Sequence, residues 1–198
     1  MTTAVVKLGV GNTASVMFAL ERLRAPAVLT DDPARIAEAE RVILPGVGAA
    51  AHAMRLLRNK GLGDVIAQFA RPLLGICLGQ QLLYDWSDEG DAEGLHLLSG
   101  RVTALPASRA APAPHMGWTR LNRAKDHALL EDVPNEAYVY FVHSYTCPLS
   151  AATLATATYG ATFSAIVGQG NVFGCQFHPE RSGAIGARIL QNFLSLPC

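Results

Sequence analysis

Short apolar runs and amphipathic segments alternate along the first half of the chain. The runs "AVVKLG" (4–9), "RVILPG" (41–46) and "RPLLGIC" (71–77) predict buried strands. Apolar positions at helical spacing predict helices over residues 14–24, 49–59, 63–70 and 78–86. Because alternating strands and helices favour parallel pairing with crossover helices, this half predicts a parallel sheet with helices on both faces.

The second half changes to β-type periodicity. The predicted strands lie in "AYVYFVHSY" (137–145), "ATLATATY" (152–159), "TFSAIVGQG" (162–170) and "NVFGCQFH" (171–178). The letters "GQGN" between the last two indicate a hairpin turn, and a helix is predicted over residues 183–194. The fold class predicted is therefore α/β, with a mixed, mostly parallel sheet and an antiparallel extension, in a single domain over residues 1–198.

Composition limits the kinds of binding partner and the cellular location that we expect for this protein. Lys plus Arg and Asp plus Glu balance at 16 each, so charge gives no reason to expect nucleic acid or an anionic membrane as a partner. No apolar run is long enough to span a membrane, and the first residues do not resemble a signal peptide, so we expect a cytoplasmic location. The four cysteines have no C-x-x-C spacing, which argues against a zinc site.

One cysteine lies in a sequence pattern that is typical of a catalytic nucleophile. Gly75-Ile76-Cys77-Leu78-Gly79 has the form G-x-C-x-G at a predicted strand-to-helix junction, the thiol version of the nucleophile elbow. Such a turn forces a positive φ on its central residue and presents the side chain at the carboxyl ends of the strands. The pattern alone leaves two interpretations, a nucleophile or a buried residue between two glycines. Cys175 lies within a predicted strand, where packing is the better interpretation.

A candidate base and its orienting partner follow in "FGCQFHPERSG". If residues 176–180 are extended, His178 and Glu180 project to the same side of the chain. Glu180 can then accept a hydrogen bond from one imidazole nitrogen and leave the other for Cys77. His143, in "YFVHSY", is the rival base.

Five motifs in order along the chain resemble one known family. They are "PGVG" (45–48), "GICLGQQ" (75–81), "PHMGW" (114–118), "YFVHSY" (140–145) and "QFHPERSG" (176–183). Together they resemble the class I, or triad-type, glutamine amidotransferases, and more narrowly the glutaminase subunits of imidazole glycerol phosphate synthase from histidine biosynthesis. The resemblance implies a three-layer, flavodoxin-like fold.

The resemblance also implies a reaction and a partner. Cys77 would attack the side-chain amide of glutamine, His178 would shuttle protons, and Glu180 would orient it. A γ-glutamyl thioester would form, release ammonia and be hydrolysed to glutamate. The ammonia would pass to a separate cyclase subunit, a (β/α)8 barrel, in a heterodimer that makes imidazole glycerol phosphate and aminoimidazole carboxamide ribotide. No cofactor and no metal are implied.

Further residues receive roles only through the resemblance. The backbone N–H groups of Val47 and Leu78 would form the oxyanion hole. The positions matching the family's glutamine-binding residues are Gly46, Gly48, Gln81, Glu89, Ser144 and Tyr145. The partner surface would include Trp118, Tyr138 and Arg181, for which core packing or, at the arginine, a solvated surface remains the alternative.

Other functions and departures from the family pattern remain open. The alternatives are a glutaminase of another pathway, such as pyridoxal phosphate synthesis, a non-catalytic binding module on the same fold, or a thiol peptidase. Ala50, Gln80 and Thr119 stand where the family usually has an aromatic residue, methionine and asparagine. None of these departures removes a member of the predicted triad.

Overall fold

The computed structural model describes residues 2–9 and 13–198. In this part of the chain the helices are α1 (Thr13–Arg22), α2 (Pro33–Glu38), α3 (Ala50–Asn59), α4 (Leu62–Ala67), α5 (Leu78–Leu82) and α6 (Gly183–Ser195). The strands are β1 (Thr3–Val6), β2 (Ala27–Thr30), β3 (Arg41–Gly46), β4 (Leu73–Cys77), β5 (Tyr84–Ser87), β6 (Ala92–Glu93), β7 (Leu98–Ala104), β8 (His115–Arg120), β9 (Asn122–Arg123), β10 (Tyr138–His143), β11 (Tyr145–Thr146), β12 (Thr153–Tyr159), β13 (Ala161–Gln169) and β14 (Val172–Cys175). None of the described helices is long and apolar enough to cross a membrane.

An eight-stranded sheet forms the centre of the molecule, in the order β2-β1-β3-β4-β14-β13-β12-β9. Pairing is parallel from β2 through β14. It is antiparallel from β14 through β9. The predicted α/β class, with a mixed sheet and an antiparallel extension, is confirmed.

Two apolar clusters cover the two faces of this sheet. Successive strand residues alternate between them, so Val5 belongs to one cluster and Ala4 and Val6 belong to the other. Helices α1 and α6 supply the first cluster, and α3 and α4 supply the second. Because both faces are buried, the central strands are apolar throughout instead of alternating with polar residues.

The structure corrects several boundaries and adds elements that were not predicted. The helix predicted over 78–86 ends at Leu82, and the chain continues directly into β5. There β5 joins a four-stranded sheet, in the order β11-β7-β5-β6. Strand β2 and helix α2 were not predicted, and the strand predicted over 171–178 ends at Cys175. The remaining predicted helices are present, with ends displaced by at most three residues.

Close packing between β3, β4 and α5 requires glycine. A Cβ at Gly75 would lie 2.5 Å from the carbonyl oxygen of Gly79, and one at Gly79 would overlap the carbonyl oxygen of Leu44. These neighbours are backbone atoms, which cannot move aside as a side chain can. The glycines of the G-x-C-x-G pattern therefore let the strand and helix approach each other.

We predict that Gly79→Ala lowers the free energy of unfolding by about 2–3 kcal/mol, because the added methyl group overpacks a rigid contact. Gly63→Ala is the matched control, since nothing lies within 4 Å of a Cβ built there. In α4 that substitution should be neutral or stabilise the protein by up to about 1 kcal/mol. Denaturant unfolding measures both, and equal stability of the two variants would contradict the close-packing argument.

Candidate active site

Cys77 occupies the turn between β4 and α5. Its backbone has φ 55° and ψ −110°, a conformation that non-glycine residues rarely adopt. The side chain is largely buried, and its sulfur lies at the carboxyl end of a central parallel strand. The elbow geometry predicted from G-x-C-x-G is thus present.

Two hydrogen-bonding groups contact the Cys77 sulfur. The thiol donates to the backbone carbonyl oxygen of Val142 at 3.7 Å. The side-chain amide of Gln176 donates to the same sulfur, also at 3.7 Å. Both are long, as is usual for hydrogen bonds that involve sulfur, and they hold the nucleophile candidate from two sides.

His178 and Glu180 form a buried pair. Nδ1 of His178 lies 2.8 Å from Oε1 of Glu180, and both side chains are almost fully enclosed. The expectation that residues 176–180 are extended is wrong, because Pro179 begins a 3-10 turn over Pro179–Arg181. Proline fits the first position of such a turn, and the turn brings the carboxylate within hydrogen-bonding distance of Nδ1.

The backbone around His178 is also held. Its N–H donates to the carbonyl oxygen of Tyr140 at 3.0 Å. Ser182 donates its hydroxyl to the carbonyl oxygen of His178 at 2.7 Å and accepts from the N–H of Tyr140 at 3.0 Å. The buried serine therefore ties the histidine to β10.

The protonation of His178 is set by two opposing effects. Burial by itself lowers the pKa of His178, but interaction with the Cys77 sulfur and the Glu180 carboxylate outweighs it and raises the pKa to about 10. Within residues 2–9 and 13–198, no hydrogen-bond partner engages Nε2 of His178. An imidazolium in this position can stabilise a thiolate and later deliver a proton.

His143 is unavailable as the base. Its Nδ1 donates to the carbonyl oxygen of Tyr145 at 2.9 Å, which leaves Nε2 as an acceptor 3.0 Å from Nδ1 of His115. His115 in turn places Nε2 2.9 Å from the hydroxyl oxygen of Thr119. Burial lowers the pKa of both histidines to about 4, so the pair is neutral and its nitrogens are already engaged.

A cavity of about 310 Å³ opens beside Cys77. Its lining consists of Val47, Gly48, Cys77, Leu78, Gln81, Glu89, Pro114, Val142, His143, Ser144 and Tyr145. All the residues that were matched to glutamine binding or to the oxyanion hole line it, except Gly46. Gly46 instead pairs with Cys77 across β3 and β4, and a Cβ there would contact Leu78 at 3.0 Å.

Two polar side chains of the cavity lining, Gln81 and Glu89, are held by hydrogen bonds. Gln81 donates its amide to the carbonyl oxygen of Tyr145 at 2.9 Å and to Oε1 of Gln176 at 3.0 Å. Glu89 accepts from the N–H of Ala50, at the start of α3, at 2.8 Å. Burial raises the pKa of Glu89, and the N–H of Ala50 partly offsets this effect. A cavity with a thiol at one end and a carboxylate in its wall suits a small zwitterionic substrate.

Val47 and Leu78, the predicted oxyanion pair, directly follow the neighbouring strands β3 and β4. Register pairs Gly46 with Cys77, so Val47 and Leu78 each follow the paired residue directly. Gly48 has φ +98°, which allows the loop to turn at this point. Their roles as N–H donors remain a prediction.

The residues predicted to contact a partner are on the surface. Trp118 on β8 and Tyr138 on β10 are 53% and 49% exposed, so the core-packing alternative is wrong for both. Arg120 donates to the Tyr138 hydroxyl at 2.8 Å. Arg181 follows Glu180 and is exposed, and its side chain forms no ion pair with any residue that the structure describes.

Sequence reasoning missed four residues of this site: Gln176, His115, Val142 and Ser182. Gln176 lies within the strand predicted over residues 171–178, and His115 lies within "PHMGW" (114–118), where it received no role. A sequence signal for Gln176 was available, because Gln176 and His178 both lie within the family motif "QFHPERSG". Val142 acts through its backbone carbonyl, which no sequence pattern identifies.

We predict that the cysteines of the folded protein differ strongly in their reactivity toward thiol reagents. Burial raises the pKa of Cys147 to about 12 and raises the pKa of Cys175 as well, so neither supplies thiolate at neutral pH. Iodoacetamide should therefore label Cys77, which lines the cavity, and Cys198, which is exposed. Peptide mass spectrometry measures the sites, with Cys77→Ala as control. Labelling of Cys175 before Cys77 in folded protein would contradict the assignment.

Residues 8–196 match the family model described as glutamine amidotransferase class-I. Imidazole glycerol phosphate synthase subunit HisH of Xanthomonas axonopodis pv. citri (strain 306) is 48% identical over 193 residues, which cover 98% of this chain and 96% of that protein. The protein of the same name from Pasteurella multocida (strain Pm70) is 46% identical over 183 residues, covering 92% of each chain.

Solved structures show the same fold. PurLQS from Thermotoga maritima superposes with a TM-score of 0.73 at 21% identity, covering 98% of this chain and 97% of that one. The glutaminase domain of Trypanosoma brucei CTPS, with bound acivicin, superposes with a TM-score of 0.63 at 14% identity, covering 100% and 95%. At these identities the likeness establishes the architecture.

Proposed function

The chain belongs to the class I glutamine amidotransferase family, and on that premise we propose that it is the glutaminase subunit of imidazole glycerol phosphate synthase, in histidine biosynthesis. It hydrolyses glutamine to glutamate and ammonia. The observation that carries the proposal is the placement of the Cys77 elbow and the buried His178–Glu180 pair at the same cavity. The full-length similarity to HisH subunits supports the pathway.

The geometry supports a two-stage reaction. The Cys77 thiolate attacks the side-chain amide carbon of glutamine, and the new charge on the carbonyl oxygen is stabilised by the N–H groups of Val47 and Leu78. His178 protonates the leaving nitrogen, so the C–N bond breaks and ammonia departs from a γ-glutamyl thioester. Water then attacks the thioester while His178 accepts a proton. The C–S bond breaks, glutamate is released, and the Cys77 thiolate and the protonated His178 are regenerated.

Glutamine fits the cavity by charge as well as size. Its amino group faces the Glu89 carboxylate, while the backbone groups of Gly48, Ser144 and Tyr145 hold the amino-acid end. The Gln81 amide fixes the Tyr145 carbonyl and thereby shapes this end of the site. Glu180 contacts His178 and not the substrate, so it is a positioning residue.

The partner in this proposal is a cyclase subunit, a (β/α)8 barrel, which consumes the ammonia. The exposed Trp118, Tyr138 and Met116 on the two-stranded β8–β10 sheet supply an apolar surface for it, and Arg181 supplies a cation beside the triad. We also propose a cytoplasmic location, which the four unpaired cysteines support.

Cys77→Ala should abolish imidazole glycerol phosphate synthesis from glutamine while sparing synthesis from ammonia, because only the ammonia source is lost. The assay mixes this chain with a cyclase subunit and supplies either nitrogen source. Cys198→Ala is the control and should retain both activities, since that thiol is exposed and remote from the cavity. Loss of both activities in Cys77→Ala would show that the cysteine is structural. Stimulation of glutamine hydrolysis only by a pyridoxal-type synthase partner would contradict the pathway.

Trp118→Ala should weaken association with the cyclase subunit about 30-fold or more, because exposed tryptophans at the centre of an interface contribute most of its affinity. Phe18→Ala is the matched control. Phe18 is 57% exposed but lies by β2, at the opposite edge of the sheet from β12, against which β8 packs. Titration calorimetry measures both, and an equal loss of affinity in the two variants would contradict the placement of the interface.

A further inference from the structure

One buried side chain that contacts the Cys77 sulfur has no role in this mechanism. Gln176 is 0% exposed and lies between β14 and His178. Its Nε2 donates to the Cys77 sulfur at 3.7 Å. It does not line the glutamine cavity, so any effect it has on the reaction must pass through that sulfur or through Gln81.

The orientation of the Gln176 amide is determined by its surroundings. Its Oε1 lies 3.0 Å from Nε2 of Gln81 and 3.9 Å from the thiol of Cys147, and both of these neighbours are donors. With the oxygen committed to two donors, the NH2 group must face Cys77. A flip of the amide would set Nε2 against Nε2 of Gln81 and leave the sulfur without its donor.

Gln81 is fixed in the same way. Its amide donates both to Gln176 and to the carbonyl oxygen of Tyr145, and that carbonyl also accepts from Nδ1 of His143. His143 is bonded to His115, and His115 to Thr119. An unbroken hydrogen-bonded chain thus runs from Thr119, next to the exposed Trp118, to the sulfur of Cys77.

We propose that Gln176 is a catalytic hydrogen-bond donor that holds the Cys77 sulfur in its attacking form, and that the chain through Gln81, the Tyr145 carbonyl, His143 and His115 holds this donor in place. The inference rests on the proposed function in that Cys77 is taken as the nucleophile. It adds a group that the triad and the oxyanion hole do not include.

The two hydrogen bonds of the Cys77 sulfur favour different protonation states of the thiol. The Val142 carbonyl accepts a hydrogen bond from the thiol, and once the proton has left, this carbonyl dipole repels the thiolate. The Gln176 amide donates in both states and binds the thiolate more strongly, because hydrogen bonds to ionised acceptors are stronger than neutral ones. Gln176 therefore shifts the balance toward the attacking form.

The charged and titratable groups around the sulfur come from several elements. His178 and Glu180 lie in the segment after β14, and Cys175 lies within β14 itself. His143 on β10 and Cys147 lie nearby, and Glu89 lines the same cavity. Substitution of Gln176 by an uncharged residue leaves all of these groups in place.

The first experiment measures alkylation of Cys77 in the isolated chain by iodoacetamide at neutral pH, followed by peptide mass spectrometry. Gln176→Met, which removes the donor at nearly constant volume, should slow alkylation about tenfold. Gln80→Met is the matched control, because Gln80 is equally buried but donates to the carbonyl oxygen of Ser164 instead of Cys77. Its rate should stay within about twofold of the parent, since no hydrogen bond to the sulfur is lost.

Gln176→Glu separates a donor role from a merely structural one. Glutamate keeps the size and an acceptor oxygen but places a carboxylate where the N–H donor was, so alkylation should be slower than in Gln176→Met. Parent-like alkylation in folded Gln176→Met, or a faster rate in Gln176→Glu than in Gln176→Met, would overturn the proposal. So would equal slowing in Gln80→Met. Circular dichroism and thermal melting establish that each variant is folded.

Steady-state kinetics of glutamine hydrolysis in the complex give a second readout. Gln176→Met should lower kcat about tenfold and leave KM within about threefold, because Gln176 contacts the sulfur and not the cavity. A raised KM with unchanged kcat would overturn the proposal. If the parent complex hydrolyses no glutamine, the proposed function fails, while the alkylation experiment still tests Gln176 separately.

A measurement on folded protein covers the case in which Gln176 variants fail to fold. The side-chain 15N–1H resonances of Gln176 report on its donor contact and should shift when Cys77→Ala removes the sulfur. The corresponding resonances of Gln80 should move less, because Gln80 donates elsewhere. Unchanged Gln176 resonances would overturn the proposal.

Discussion

The close backbone contact of β4 and α5 with β3 is the constraint on which the rest of the site depends. Gly75 and Gly79 permit it, and the chain can make the turn only by placing Cys77 at φ 55°. With β3 on one side of β4 and β14 on the other, the loop of Val47 and Gly48 arrives at one flank of the sulfur. Gln176 and His178 arrive at the other flank. The strand order β3-β4-β14 therefore brings Cys77, the loop of Val47 and Gly48, and His178 together from three separate segments.

The pKa values of three buried histidines in this molecule are shifted in opposite directions. At His178, burial disfavours the charged form, yet the neighbouring Cys77 sulfur and Glu180 carboxylate raise the pKa to about 10. At His115 and His143 no carboxylate of the described residues compensates, so burial lowers the pKa of each to about 4. The first ring can carry a proton through a reaction cycle. The other two are confined to a neutral hydrogen-bonded pair that serves as structure.

Much of this arrangement was predictable, because its signals are local in sequence. Apolar runs located β1, β3 and β4, and G-x-C-x-G located the turn and its positive φ. The four-residue edge strand β2 and the small sheet around β5 carry no comparable local signal, since long-range pairing creates them. Gln176 was missed for the same reason. Its partners Cys77 and Gln81 lie about a hundred residues away, and only folding reveals that its amide faces a sulfur.

Side chains along strand β8 alternate between the outer surface and the interior of the molecule. Met116, Trp118 and Arg120 are exposed, while His115 is buried and Thr119 partly so. The strand pairs over its whole length with β10, whose last residue is His143. Any partner that displaces the outer face must therefore either move both strands together or break a 3.0 Å hydrogen bond between two buried, neutral histidines. Because an unpaired buried nitrogen is costly, the strands should move as a unit, and the Tyr145 carbonyl would move with them.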